Sequence, residues 1–140
     1  RTAIDLVQKG QEIPEYLQKE LAKTAHRDYT TGFYYGDNNT ISYDNNQTAG
    51  EYEFMAEVIG YDKAKGGIWV EQRNRFAIGD CLEILSATRE YLNKNIIIEV
   101  MENVDGEAVA DAKLVQQKLF IKTDYPLSKH DILRKKVVKC

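Results

Sequence analysis

The sequence predicts a mainly β fold, a small antiparallel β-barrel preceded by two short α-helices. Apolar residues at helical spacing occupy the first 27 residues, and the later segments alternate apolar with polar residues or are rich in aromatic and β-branched ones. Glycine-containing turns separate those segments. Six or so short strands favour closure into a barrel, because closure removes exposed strand edges. The 140 residues, 43% of them hydrophobic, suit one compact domain with a core.

Two helices are predicted at the start of the chain. The first has an apolar stripe over Ala3–Val7 and ends before Gly10, which suits the left-handed turn after a helix. The second runs from about Pro14 to Thr24, because the proline presets the first-turn φ angle and two glutamates precede lysines by four or three residues.

The composition changes near residue 27, where helical spacing gives way to β patterns. We therefore expect residues 1–27 to form a helical linker and residues 28–140 to form the β-barrel domain. The chain begins with Arg1 instead of methionine, and no signal peptide pattern follows. These features indicate a fragment of a longer protein, in which the helices adapt the barrel to a preceding domain.

The β region begins near Tyr29, and Asn-, Asp- and Thr-rich residues predict an exposed loop over Asp37–Gly50. The next strand is predicted to bury Tyr52, Phe54, Ala56 and Val58 and to expose the residues between them. A turn at Lys65-Gly66-Gly67 should join it to an antiparallel neighbour over residues 68–71. Further strands are predicted at 80–85, 96–101, 109–112 and 118–123. A turn at Asp105-Gly106 is predicted between the strands at 96–101 and 109–112.

The overall charge and apolar content exclude several functions. The formal net charge is −3, from 19 basic and 22 acidic side chains, so any contact with nucleic acid has to be local. No apolar run approaches the roughly 20 residues of a membrane helix, so no membrane partner is expected. Two cysteines are too few for a disulfide framework, and a reducing cytoplasm is the expected location.

No set of catalytic or metal-binding residues is recognisable. The two histidines stand far apart without the spacing of a zinc site, and no serine lies in a Gly-x-Ser-x-Gly setting. The glycines do not form a phosphate-binding loop, and the Asn-rich loop does not match a calcium loop. We therefore expect no metal, no cofactor and no activity in the isolated domain.

The candidate binding residues are aromatic and basic. Tyr34, Tyr35 and Tyr43 belong to a concentration of rings that could be core, a peptide-binding surface or a platform on which bases stack. Arg73 and Arg75 stand before Phe76 and could contact phosphate or an acidic surface, although solvated charge is the commoner role of such residues.

Several blocks of the sequence resemble the C-terminal domain of the collagenase-like peptidase family U32. They are Tyr29–Gly36, Arg73–Phe76, Gly79-Asp80, Glu83 and Leu127–Lys135. The resemblance implies a parent protein with an upstream, barrel-type catalytic domain. Members of that family are described as proteases, and others are linked to hydroxylation of RNA bases. The segment Gly66–Leu85 is also similar in outline to the second, β-barrel domain of translation elongation factor Tu.

Three functions follow from this resemblance. In the first, the domain is a non-catalytic accessory module of a U32-type peptidase that positions or recognises a polypeptide. In the second, it is an RNA-binding module of a base-hydroxylating member, with Arg73, Arg75 and Lys135 on phosphates and tyrosines on bases. In the third, it is a structural cap or oligomerisation domain whose aromatic residues are buried. The expected partners are the upstream catalytic domain of the same chain and either a polypeptide or RNA.

Overall fold

The computed structural model describes residues 1–23, 34–36 and 50–137. It divides into two compact units, one comprising Arg1–Tyr52 with Val137–Cys140 and the other Glu53–Lys136. The predicted start of the β region at Tyr29, the predicted boundary at residues 27 and 28 and nearly all of the predicted loop over 37–50 lie outside the described residues. Residues 34–36, which were expected to be part of the β region, form a turn.

The first unit contains both predicted helices. Helix α1 spans Thr2–Gln8 and helix α2 spans Glu15–Lys23. The chain leaves α1 through Gly10, whose φ of 67° is left-handed and whose N–H donates to the Val7 carbonyl at 2.9 Å. Glycine adopts this conformation without the steric penalty of a side chain, so it ends the helix as predicted.

The β structure comprises nine strands in the residues that are described. Seven form one curled antiparallel half-barrel sheet in the order β5-β4-β9-β1-β2-β8-β6, and β3 pairs with β7. The mainly β, barrel-like class with two short helices is therefore confirmed. The strands are β1 Tyr52–Asp62, β2 Gly67–Gln72, β3 Phe76–Ala77, β4 Cys81–Leu85, β5 Asn95–Ile97, β6 Met101–Glu102, β7 Asp111–Ala112, β8 Lys118–Lys122 and β9 Ile132–Lys136.

The predicted hairpin between β1 and β2 is confirmed, with Asp62 opposite Gly67 and a left-handed Gly66 (φ 66°) in the turn. The predicted alternation along β1 is only partly right. Ala56 is buried, but Phe54 is 40% exposed and Met55 is 2% exposed. The alternation breaks because the partner strand β2 ends at Gln72. The Met55 carbonyl instead accepts the backbone N–H groups of Arg73 and Asn74, the two residues after β2, at 2.8 and 3.0 Å.

The turn at Asp105-Gly106 forms, since the N–H of Val109 donates to the Met101 carbonyl at 2.8 Å. The predicted strand over 96–101, however, is two strands at opposite ends of the sheet order. Strand β5 pairs with β4 and β6 pairs with β8, while β7 pairs with β3. Sequence alternation does not specify partners, so this division could not be read from the local pattern.

The core lies on the inner face of the curled sheet. Ile68 and Val70 of β2 and Leu119 and Ile121 of β8 are each 0% exposed, which fixes the inner face of these two strands. The sheet also buries an ion pair, in which the Arg134 guanidinium donates to the Glu83 carboxylate from Nε at 2.8 Å. Their side chains are 7% and 11% exposed, so both charges depend on each other for compensation.

Candidate functional site

Two of the predicted aromatic residues lie on the surface of the first unit. Tyr34 and Tyr35 occupy a turn and are 91% and 79% exposed. Their ring centroids are 6.2 Å apart with an interplanar angle of 61°, an edge-on arrangement. Two exposed rings offer stacking surface to a base or a peptide side chain. Tyr43 lies outside the described residues.

Arg73 lies in a charged network on the second unit. Its Nη2 is 3.0 Å from a Glu57 carboxylate oxygen and 2.9 Å from one of Glu71. The other Glu57 oxygen is 2.7 Å from Nδ1 of His130. The hydrogen bond with His130, followed by that from Arg73, holds the pKa of Glu57 below its usual 4.5. The charge of Arg73 is therefore shared between two carboxylates of β1 and β2.

Arg75 is held separately by Asp111 of β7. Its Nε and Nη2 donate to the two carboxylate oxygens at 3.0 and 2.6 Å, a bidentate pair. This pair lowers the pKa of Asp111 and raises that of Arg75. The Arg75 side chain remains 72% exposed. The two arginines thus have different carboxylate partners. Glu57 and Asp111 lie 16 and 36 residues away in sequence, and the local pattern did not indicate them, whereas Glu71 is only two residues from Arg73.

Lys135, the third predicted phosphate contact, is also paired. Its Nζ is 2.7 Å from Oδ1 of Asp80. Partial burial raises the pKa of Asp80, but hydrogen bonds from Lys135 and from the Ala77 N–H lower it, and the net pKa lies below the usual 3.8. Cys81, which follows Asp80 in the sequence, is an exposed free thiol.

A cluster of two aromatic rings and a lysine lies on the outer face of β2 and β8. The rings of Trp69 and Phe120 meet at 5.6 Å between centroids and 62° between planes. Lys65 places its Nζ 5.6 Å from the Trp69 centroid and 5.2 Å from that of Phe120, and 3.1 Å from Oε2 of Glu102. The indole N–H donates to Oδ2 of Asp62 at 3.3 Å. The half-buried tryptophan is thereby held in one orientation.

The Phe120 ring packs against Gly67, which has no side chain to obstruct it. A Cβ on Gly67 would stand 2.4 Å from Cζ of Phe120 and 2.4 Å from the carbonyl oxygen of Ile121. Both distances are far below van der Waals contact, so only glycine fits here. Phe120 is consequently 3% exposed although it points to the outer face.

Two exposed lysines complete this outer face. Lys118 and Lys122 flank Phe120 at alternate positions of β8, opposite Glu71 and Gly67 respectively. This surface was not predicted from the sequence. The signal that could have found it is the alternation Lys-Leu-Phe-Ile-Lys over residues 118–122, which assigns two lysines and an aromatic ring to one face.

The arrangement offers binding chemistry. Among residues 1–23, 34–36 and 50–137, no serine or cysteine side chain hydrogen-bonds to a histidine or carboxylate side chain. In the same residues no group of three or more His, Cys, Asp or Glu side chains is placed to hold a metal ion. None of the helices that the structure describes has the length and apolarity needed to cross a bilayer.

Comparisons with known proteins identify relatives of this chain. A model of the peptidase family U32 C-terminal domain matches residues 50–134. The tRNA hydroxylation protein P1 of Bacillus subtilis (strain 168) is 32% identical in an alignment of 127 residues that covers 86% of this chain. The chain spans 28% of the length of that protein.

Two crystal structures of the C-terminal domain of a Geobacillus thermoleovorans protein described as a U32 peptidase are similar to this chain. The selenomethionine variant is 34% identical with a TM-score of 0.54, over 59% of this chain and 99% of that one. The other structure is 31% identical with a TM-score of 0.54, over 61% of this chain and 93% of that one.

Proposed function

Because this chain belongs to the family of peptidase U32 C-terminal domains, we propose that it is a non-catalytic accessory domain that positions a substrate. The chemistry would be carried out by a catalytic domain in another part of the same polypeptide. The observation that carries this proposal is the family match over residues 50–134, in which binding groups are present but no nucleophile is paired with a base.

RNA is the substrate class that we propose first. The relative that is 32% identical over 86% of this chain is a tRNA hydroxylation protein, and that similarity covers more of the chain than the family match over residues 50–134. The exposed rings of Tyr34 and Tyr35 and the half-buried ring of Trp69 suit stacking on unpaired bases. Arg75, 72% exposed, stays available for phosphate if a phosphate competes with Asp111.

A polypeptide substrate is the second candidate. The family name is that of a peptidase, and the two similar solved domains come from a protein described as one. The same exposed tyrosines could hold apolar side chains of an extended chain. A purely structural cap is less well supported, because it requires buried tyrosines and both Tyr34 and Tyr35 are exposed.

The test compares the longer parent protein with a version lacking residues 1–140 of this chain. Unfractionated tRNA and a denatured, reduced protein serve as the two probes. We expect deletion to weaken tRNA binding by at least about tenfold, as loss of one stacking contact would, and to leave the folding of the catalytic part intact. Unchanged binding of both probes would contradict an accessory role, and loss of protein binding alone would favour the second candidate.

We also propose the cytoplasm as the location of the parent protein. The exposed thiol of Cys81 supports this, since a free surface cysteine persists unmodified more readily in a reducing compartment.

A further inference from the structure

We infer that the outer face of β2 and β8 is the surface on which this domain holds RNA. An unpaired base stacks on Trp69, and the phosphates on either side of it contact Lys118 and Lys122. This inference rests on the proposed function and deepens it by assigning the RNA to particular residues. Neither Arg73 nor Arg75 is needed for it.

The register of the two strands places these groups on one face. Ile68 and Val70 are buried on the inner face, so Trp69 between them points outward. Trp69 stands opposite Phe120, and directly opposed residues of an antiparallel pair share a face. Lys118 and Lys122, two positions on either side of Phe120, therefore share that face too.

The tryptophan ring is held in place before any ligand arrives. Its N–H is bonded to Asp62, and the same carboxylate accepts the backbone N–H groups of Ala64 and Lys65 at 3.0 and 3.1 Å. The Phe120 ring supports it edge-on at 5.6 Å. A side chain that is already ordered loses little further conformational entropy on binding, so more of the stacking energy contributes to affinity.

Three carboxylates of this face contact a cation. Glu57 and Glu71 share the guanidinium of Arg73 at 3.0 and 2.9 Å. Glu102 pairs with Lys65 at 3.1 Å. These contacts reduce, without cancelling, the repulsion that a phosphate approaching this face meets, because Glu57 and Glu71 share one guanidinium and Asp62 is bound by N–H groups.

The two lysines of β8 are not compensated in this way. In the part of the chain that the structure describes, neither Lys118 nor Lys122 makes an ion pair, and both are exposed. Lys118 faces Glu71 across the ladder, but that carboxylate is engaged by Arg73. The lysines lie four residues apart on one strand, which is about 13 Å.

This combination of groups fits a nucleic acid. Trp69 offers a ring on which a base can stack, and the two lysines of the adjacent strand offer cations for the neighbouring phosphates. Stacking tolerates any base. Single-stranded and looped RNA presents such unstacked bases, whereas a duplex does not. The face consequently selects unpaired RNA by charge and by shape, without reading sequence.

The single tryptophan of the chain makes the test direct, since Trp69 is the only source of tryptophan fluorescence. Titration of the 140-residue chain with unfractionated tRNA should quench that fluorescence. Anisotropy of end-labelled tRNA then measures affinity for the variants. We expect Trp69→Leu to weaken binding about tenfold and Trp69→Phe to retain most of it.

The lysines are tested by salt dependence. Each of Lys118→Gln and Lys122→Gln should lower the slope of log affinity against log salt by about 0.7. Lys94→Gln, the same change at an exposed lysine just before β5, is the matched control and should leave the slope unchanged. Substitution of exposed lysines costs little stability, so these variants remain informative if Trp69→Leu does not fold.

Two results would overturn the inference, and they have different consequences for the proposed function. If tRNA binds but the Trp69, Lys118 and Lys122 variants behave like Lys94→Gln, the RNA lies elsewhere on the domain and the proposed function stands. If the chain binds denatured, reduced protein and no tRNA, both the surface assignment and the proposal of RNA as substrate are wrong.

Discussion

Replacement of Gly67 by alanine is a direct test of how the outer face is built. The new Cβ would stand 2.4 Å from the Ile121 carbonyl oxygen and 2.4 Å from Cζ of Phe120. The ring can rotate away, but the oxygen belongs to the β2–β8 ladder, in which Ile121 is paired with Ile68. Relief of this overlap therefore requires the two strands to move apart.

The magnitude follows from two opposing contributions. Overpacking at a site that cannot relax costs up to about 3 kcal/mol. Removal of a glycine lowers the entropy of the unfolded chain and offsets this by about 0.4–1 kcal/mol. We expect Gly67→Ala to lower the free energy of unfolding by roughly 2 kcal/mol, about a thirtyfold change in the folding equilibrium.

Gly60→Ala is the matched control on the neighbouring strand. Nothing lies within 4 Å of its added Cβ, and its φ is outside the left-handed region. Only the unfolded-state effect remains, so this variant should be stabilised by about 0.5 kcal/mol. Urea unfolding followed by circular dichroism measures both, with the m-value expected to stay constant. If Gly67→Ala unfolds within about 0.5 kcal/mol of the unmodified chain, the close approach of Phe120 does not constrain this position.

Three further predictions concern the charged groups. Arg134→Met removes the guanidinium that contacts the buried Glu83 carboxylate and should cost about 3 kcal/mol in urea unfolding; a cost as small as that of a surface pair would contradict the burial of this ion pair. Arg75→Gln removes an exposed partner of Asp111 and should lower the urea midpoint far less than Arg134→Met does. The pKa values of Glu57 and Asp111 lie below their usual 4.5 and 3.8, so the stability they add is complete above pH 4.5 and is lost as the pH falls through their folded-state values. Urea midpoints measured from neutral pH downward should therefore decline only below about pH 4.5, and a midpoint that is flat into stronger acid would refute these ion pairs.

Local pattern predicted much of the fold. The β1–β2 hairpin followed from a glycine turn between two apolar segments, and both helices followed from spacing and from the proline and glycine at their ends. The inward position of Phe54 was wrong, because the Met55 carbonyl accepts two N–H groups from residues beyond β2 and this contact interrupts the alternation. Such a contact depends on where the partner strand ends, which one strand's sequence does not contain.

The candidate site was harder to predict than the fold. Arg73 and Arg75 were predicted as possible contacts to phosphate or an acidic surface, with solvated charge as the commoner role. Each has a carboxylate partner, Glu57 or Asp111, that only the folded sheet brings close. Trp69 gave no signal by itself, since one tryptophan in a strand is commonly a core residue. Its role follows from its pairing with Phe120, and pairing between distant strands is a property of the register.

The position of β9 in the sheet has a consequence for how the domain folds. It is the last of the described strands in sequence, yet it lies between β4 and β1 and is the link that joins β4 and β5 to the other four strands. During synthesis the edges of β4 and β1 that pair with β9 therefore remain unpaired until residues 132–136 leave the ribosome. The joining of the two groups depends on contacts such as that of Glu83 with Arg134, 51 residues apart, so we expect it to be slow compared with formation of the local hairpin of β1 and β2.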